Sequence, residues 1–233
     1  MNSQNEIILG LIAAREGSKG IPDKNLLKLM GKELIRLAAE VGKQVEEIGL
    51  LICSTDGEKI AEVARDSGVE VPFMRPKELA EDSTPMLPVM EHAIIEVEKQ
   101  YGVRVKAVLI LDPTAPMRTV EDIQNAVKFY ESNDVDLVVS VHRGHHNPYF
   151  NMLEEVGEYY ELPKGAGENY GSRQAAPTVY QVNTVAWIYS RQAIMEERVR
   201  IPRKTLIYEY PEDRSIDLDT PDDIQRLNYF LNL

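Results

Sequence analysis

Residues 7–25 read Ile7-Ile8-Leu9-Gly10-Leu11-Ile12-Ala13-Ala14-Arg15-Glu16-Gly17-Ser18-Lys19-Gly20-Ile21-Pro22-Asp23-Lys24-Asn25. The opening run is almost wholly apolar, the pattern of a strand buried on both faces of a sheet. The loop that follows has two glycines and a serine, which let a backbone turn sharply and present its N–H groups to an anion. Arg15, Lys19 and Lys24 add three cations within ten residues. A buried strand opening into a glycine-rich cationic loop has the form of a diphosphate or triphosphate cradle. It is neither a Walker A loop nor a G-x-G-x-x-G dinucleotide fingerprint. An ordinary solvated βα loop with incidental lysines is the competing reading.

Outward from that stretch, strands and helices alternate. Helical spacing of Leu34, Ile35, Leu37, Ala38 and Val41 predicts a helix over Lys32–Glu46. Ile48–Ser54 reads as a second buried strand, with Cys53 as a small core residue. A helix over Gly57–Ser67 stops at Gly68, and Met86–Gln100 is an amphipathic helix. Ala107–Leu111 and Leu137–Val141 are further strands, separated by a helix that Thr119 caps with Asp122 as its N3 partner. This alternation predicts an α/β fold with a mainly parallel central sheet and helices on both faces. From about 142 to 181 glycine, proline, tyrosine and charge take over, so this span is an excursion from the sheet, a small lobe or a subunit contact. Strand character resumes over Val182–Tyr189 and Thr205–Tyr210, and Thr220-Pro221 opens the last helix.

The chain has 233 residues, fitting one domain that spans 1–233 with 142–181 as a small subdomain. Its 26 Lys+Arg against 38 Asp+Glu give a formal charge of −12, the wrong sign for nonspecific nucleic-acid binding. Local cations are still compatible with a nucleotide. One cysteine excludes an intramolecular disulfide. No apolar run reaches the roughly 18 residues of a membrane span, and the first residues do not form a signal peptide. The expectation is a cytoplasmic protein with no membrane partner.

The second chemical stretch is Ser215-Ile216-Asp217-Leu218-Asp219. In an extended segment Asp217 and Asp219 point to one side while Ile216 and Leu218 pack on the other. Paired carboxylates suit Mg²⁺, which shares its coordination with phosphates and water; the alternative for Asp219 is charge at a helix N-terminus. His142, His145 and His146 have no thiol and no fixed fourth partner for zinc, and read as a solvated loop. Asp112 ends a central strand, where open α/β sheets place their ligand crevice, or is simply a turn residue before Pro113. Arg173-Gln174 offers a forked guanidinium for a carboxylate. Asn183 interrupts an apolar strand, and its amide needs partners there.

Taken together, these residues resemble the acylneuraminate cytidylyltransferase family, the CMP-nonulosonate synthetases. The resemblance runs from about Ile7 to Phe230. It rests on Ala14-Arg15-Glu16-Gly17-Ser18-Lys19-Gly20 with Lys24-Asn25, then Ser54-Thr55-Asp56, Pro72-Phe73-Met74-Arg75-Pro76 and Leu79-Ala80-Glu81-Asp82-Ser83-Thr84. Pro113–Thr119, Arg173-Gln174, Tyr180, Asn183 and Ile216–Thr220 complete it. The resemblance implies a Rossmann-like nucleotidyltransferase that joins CTP to a nine-carbon sugar acid, releases pyrophosphate and needs Mg²⁺. It implies that Arg15, Gly17, Ser18, Lys19, Lys24, Asn25, Arg75 and Thr84 hold the nucleotide. Arg15, Lys19 and Asp217 would be catalytic, Asp217 and Asp219 would hold the metal, and Asp112, Arg173, Gln174 and Asn183 would face the sugar. A homodimer built through the excursion after His142 is also implied. The family often has Gln at the position of Asp112, Gly at Thr184 and Tyr at Trp187. These departures point to a nonulosonic acid other than plain N-acetylneuraminate, such as a legionaminic or pseudaminic type. An eight-carbon 3-deoxy-manno-octulosonate substrate, or a nucleotide sensor without catalysis, are the alternatives.

Overall fold

The structure is a computed structural model that describes residues 6–18, 20–163 and 170–231. Ten strands occur among them: β1 (Glu6–Ala13), β2 (Lys28–Leu29), β3 (Lys32–Glu33), β4 (Ile48–Ser54), β5 (Arg104–Ile110), β6 (Leu137–Arg143), β7 (Glu154–Val156), β8 (Tyr159–Glu161), β9 (Tyr180–Ser190) and β10 (Thr205–Glu209). Five α-helices accompany them: α1 (Leu34–Gly42), α2 (Glu58–Asp66), α3 (Met86–Tyr101), α4 (Val120–Glu131) and α5 (Pro221–Leu231).

Six strands form one sheet in the order β10-β6-β9-β5-β1-β4. The β1–β4, β1–β5 and β6–β10 pairs are parallel. Strand β9 runs antiparallel to both β5 and β6. The sheet is therefore mainly parallel, as the alternation predicts. Alternation along β1 explains the two-sided core, because residues two apart share a face. Ile8 and Ile12 face one way and pack with Ile35 of α1, Ile60 of α2 and Ile123 of α4. Ile7, Leu9 and Leu11 face the other way, against Met90, Ile94 and Val97 of α3. Gly10 takes the place of a side chain on the first face; a Cβ there would stand 2.8 Å from Leu51 Cδ1.

The helix ends follow the chemistry of their residues. Thr119 and Asp122 form a reciprocal capping box at α4. Gly68 and Gly102 carry the positive φ, +74° and +66°, that stops α2 and α3. Cys53 is fully buried in the core, and burial pushes its thiol up to about 12.

The structure corrects the sequence reading at α1. Lys32 and Glu33 belong to a small hairpin with Lys28 and Leu29, so the helix begins only at Leu34. Met30 and Gly31, both at positive φ, make its turn. The excursion leaves the sheet after Arg143 and returns at Tyr180, two residues inside the predicted bounds on each side. It contains the hairpin β7–β8, which exposes Leu153, Tyr159 and Tyr160. Among the described residues, no helix is long and apolar enough to cross a membrane.

Candidate active site

The carboxyl ends of β1, β4 and β5 open on a cleft of about 440 Å³. Arg15, Ser18, Lys24, Asn25, Arg75 and Thr84 all line it, together with Asp112, Thr114 and Asp219. Six residues picked out as nucleotide contacts thus converge from three separate stretches. Gly17 turns the loop at φ +72°, where a side chain would be strained. Lys19 lies outside the described residues.

Each described cation lining the cleft is held. The Arg15 guanidinium pairs with Asp82 across the mouth. Arg75, only 6% exposed, donates from Nε to Ser54 Oγ at 3.0 Å and from Nη2 to the Ser54 carbonyl. Burial lowers its pKa from the ordinary arginine range. Lys24 Nζ lies 2.7 Å from Asp219 Oδ1. Asn25 is buried and donates to the Arg15 carbonyl at 3.0 Å, which fixes the loop from below. The Ser54-Thr55-Asp56 stretch serves as an anchor: Thr55 O accepts from Arg75 N at 2.7 Å, and Asp56 Oδ1 accepts from Glu16 N at 3.0 Å. Sequence reasoning matched this stretch without seeing that its partners are the loop and Arg75.

Ile216 and Leu218 are buried with Leu29, Leu34 and Leu227, as the alternation predicts. Segment 215–219 is not a ladder strand; it is tied to the strand-end loop by Leu218 N donating to Thr114 O at 2.9 Å. Asp217 is raised to about 6, first by burial and then by the charges of Asp112 and Asp219, against the Thr114 hydroxyl and Lys24. Its Oδ1 is buried without a hydrogen-bond partner. Gly20 explains how loop and segment meet. A Cβ on Gly20 would stand 2.2 Å from the Asp219 carbonyl oxygen. Only a glycine lets the two backbones touch.

Asp112 combines both of its sequence readings. Its Oδ1 accepts from Thr114 N at 3.1 Å and Thr114 Oγ1 at 2.9 Å, a turn, while the residue also faces the cleft. Buried Arg118 donates to the Asp112 carbonyl from behind, and burial lowers that guanidinium to about 10.

The four residues expected to face a sugar are not gathered in one place. Asp112 and Thr184 line a largely apolar cavity of about 380 Å³ with Trp187 and Arg200, continuous with the cleft through Asp112 and Met86. Asn183, next to Thr184 on β9, faces a different cavity of about 500 Å³, shared with Asp217, Asp219 and the three histidines. The Asn183 oxygen accepts from Ser140 Oγ and Val185 N, and its Nδ2 has no partner. Arg173 and Gln174 are exposed and line a third cavity of about 200 Å³ beside Arg143 and Asn147. Of the three histidines only His142 departs from the solvated-loop reading, His145 and His146 being exposed in the loop after β6. His142 is buried at the end of β6 with Nδ1 3.1 Å from Ser215 Oγ, and His145 lies 2.8 Å from Glu212.

Comparison with known proteins fits this geometry. A family model described as "Cytidylyltransferase" matches residues 9–233. CMP-N,N'-diacetyllegionaminic acid synthase of Campylobacter jejuni is 30% identical over 97% of this chain and 95% of its own. The protein of that name from Legionella pneumophila is 31% identical over 93% and 92%. Among solved structures, a CMP:2-keto-3-deoxy-manno-octonic acid synthetase complexed with CTP superposes with a TM-score of 0.67 at 15% identity, over 98% of both chains. The chain belongs to the cytidylyltransferase family.

Proposed function

We propose that this protein transfers the cytidylyl group of CTP to a nonulosonic acid of the sialic-acid type, giving a CMP-sugar and pyrophosphate. The observation that carries this reading is the single cleft into which Arg15, Ser18, Lys24, Asn25, Arg75 and Thr84 converge beside Asp112 and Asp219. A sugar hydroxyl oxygen forms a bond to the α-phosphorus as the bond to pyrophosphate breaks, and the hydroxyl proton leaves to a base. Negative charge grows on the phosphate oxygens, where preorganised guanidinium, ammonium and backbone N–H groups stabilise it. Arg15 and Lys24 are the described cations placed for that role, with Lys19 expected beside them. Arg75, held by Ser54, orients the nucleotide at the far wall.

The donor set fits a divalent cation, and Mg²⁺ is the ion proposed. Asp217 offers a buried oxygen without a partner, and Asp219 opens on the same cleft as the cations. Among the described residues no three acidic, histidine or cysteine side chains form a complete ligand set, as expected where phosphates and water supply the rest. Bound there, Mg²⁺ would neutralise charge on the phosphates. Asp217 is also the first candidate for accepting the hydroxyl proton. The curated relatives' names support a legionaminic-type acceptor. A homodimer in the cytoplasm, in which the excursion carries Arg173 and Gln174 to the neighbouring chain's site, completes the proposal.

The test is pyrophosphate release with Mg²⁺ and CTP across N-acetylneuraminic, legionaminic, pseudaminic and eight-carbon ulosonic acids. Turnover with a nine-carbon acid is expected, with the legionaminic or pseudaminic type preferred. Turnover only with the eight-carbon acid, or CTP binding without pyrophosphate release from any, refutes the reading.

A further inference from the structure

The two carboxylates proposed to hold the metal sit on a segment with no ladder of its own, so something else must fix its depth. Residues 210–219 are tied at both ends by backbone bonds: Tyr210 N donates to Val141 O at 2.7 Å, and Leu218 N to Thr114 O at 2.9 Å. Between them Arg214 makes a two-pronged contact with Asp122 at the start of α4. Its Nη1 lies 2.9 Å from Oδ2 and its Nη2 3.2 Å from Oδ1. The Arg214 guanidinium also covers the Tyr210 ring at 4.9 Å from its centroid, and the Tyr210 hydroxyl donates to the same carboxylate at 3.2 Å. Asp122 is 9% exposed.

Asp122 already has a local duty. It caps α4 by accepting from Thr119 N and Oγ1. A cap needs no arginine, so the Arg214 and Tyr210 contacts serve something further. That same helix start follows Arg118, which braces the Asp112 and Ala115 carbonyls. The loop carrying Asp112 and the segment carrying Asp217 and Asp219 are thus both fastened to one point, the first turn of α4. A planar, forked ion pair constrains direction as well as distance.

We propose that Asp122, Arg214 and Tyr210 form a positioning clasp that sets where Asp217 and Asp219 stand relative to the Asp112 loop, and thereby tunes divalent-cation affinity. The inference rests on the metal role given to Asp217 and Asp219. Groups that orient ligands from behind typically alter metal affinity by about 10- to 100-fold when removed.

The test measures Mn²⁺ binding alone, by loss of its electron paramagnetic resonance signal, without nucleotide or sugar. Arg214→Ala is expected to weaken Mn²⁺ about tenfold, and Arg214→Lys and Tyr210→Phe less. CTP binding in chelator should change less than Mn²⁺ binding does, because Arg15, Asn25 and Arg75 are held by Asp82, the loop backbone and Ser54, and of the cleft lining only the Asp112 loop and Asp219 depend on the clasp. Melting temperatures are recorded in parallel. Variants that melt earlier but bind Mn²⁺ like the parent reduce the clasp to a structural brace and overturn the proposal. If Arg214→Ala does not fold, Arg214→Lys and Tyr210→Phe decide by the same criterion. A parent protein that binds no Mn²⁺ overturns the metal assignment itself, and the clasp with it.

Discussion

Replacing Gly20 with alanine asks whether the cationic loop and the Asp217–Asp219 segment must touch for turnover. The new Cβ would stand 2.2 Å from the Asp219 carbonyl oxygen, whereas carbon and oxygen contact at about 3.3 Å. Neither atom belongs to a flexible side chain, so the two backbones must part by about 1 Å. The clash is between the new Cβ and backbone, so the expected effect is steric. Overpacking of this kind costs about 1–3 kcal/mol, and a misplacement of about 1 Å between reacting groups can cost on the order of 100-fold in rate. Gly20→Ala should therefore lower kcat/KM for pyrophosphate release about 100-fold, with a moderate loss of thermal stability. Gly102→Ala is the control: its φ is +66° with open space around it, so it should lose stability by about 1–2 kcal/mol without moving the site. If Gly20→Ala turns over within about threefold of the parent, the close approach is incidental and the reasoning fails.

Other outcomes follow from named groups. Asp217 holds its proton up to about pH 6, above its ordinary 3.8, so between those values the folded state binds more protons than the unfolded one. The stability it confers at low pH is lost as pH rises through 6. In chelator Asp217→Asn should then melt later than the parent at pH 7.5, by on the order of 2 kcal/mol, and equally at pH 3.5; a gain independent of pH would refute this. Lys24→Met removes a cation from the cleft and frees Asp219, so the CTP KM should rise about tenfold while Mn²⁺ binding without nucleotide tightens. The same sign in both measurements would count against the Lys24–Asp219 pairing. If Arg173 serves the neighbouring chain, mixing inactive Arg173→Ala and Asp217→Asn subunits should restore about a quarter of parental activity, one sound site in each hybrid dimer. No restoration would place Arg173 in its own chain's site or outside catalysis.

The sheet was legible because burial on both faces writes itself as continuous apolar runs: Ile48–Ser54 was bounded correctly from sequence, and Leu137–Val141 missed only the polar end of its strand at His142 and Arg143. Helix ends were legible where caps have distinctive chemistry, as at Thr119 and Gly68. The start of α1 was not, because Lys32 and Glu33 fit a helical period, and only the Met30-Gly31 turn betrays the hairpin. The antiparallel direction of β9 left no mark in composition; it depends on how the long excursion returns. At the site, the residues that line the cleft were legible as motifs, whereas their partners were not. Asp82 on Arg15, Ser54 on Arg75 and Asp219 on Lys24 are long-range pairs, and spacing says nothing about them.

The acceptor side differs from the nucleotide side for a geometrical reason. Asn183 and Thr184 are neighbours on β9 in the stretch where its pairing with β6 slips, Val139 lying opposite Trp187 but Val141 opposite Val182, so strict alternation is broken there. One opens on the histidine cavity beside Asp217 and the other on the Trp187 cavity beside Asp112. The two cavities adjoin the cleft at Asp219 and at Asp112, so under the proposed function an acceptor would have two flanks from which to approach. Arg173 and Gln174 reach neither, being held with Asn147 and Pro177 in the excursion. That same excursion presents Leu153, Tyr159 and Tyr160 at 66%, 74% and 65% exposure, apolar surface that gains by being covered. A second copy of the chain docking there would bury the hairpin and carry a guanidinium towards an acid-binding site at once. The proposed dimer thus answers two observations together: Arg173 and Gln174 standing apart from Asp112 and Asn183, and an uncovered apolar arm.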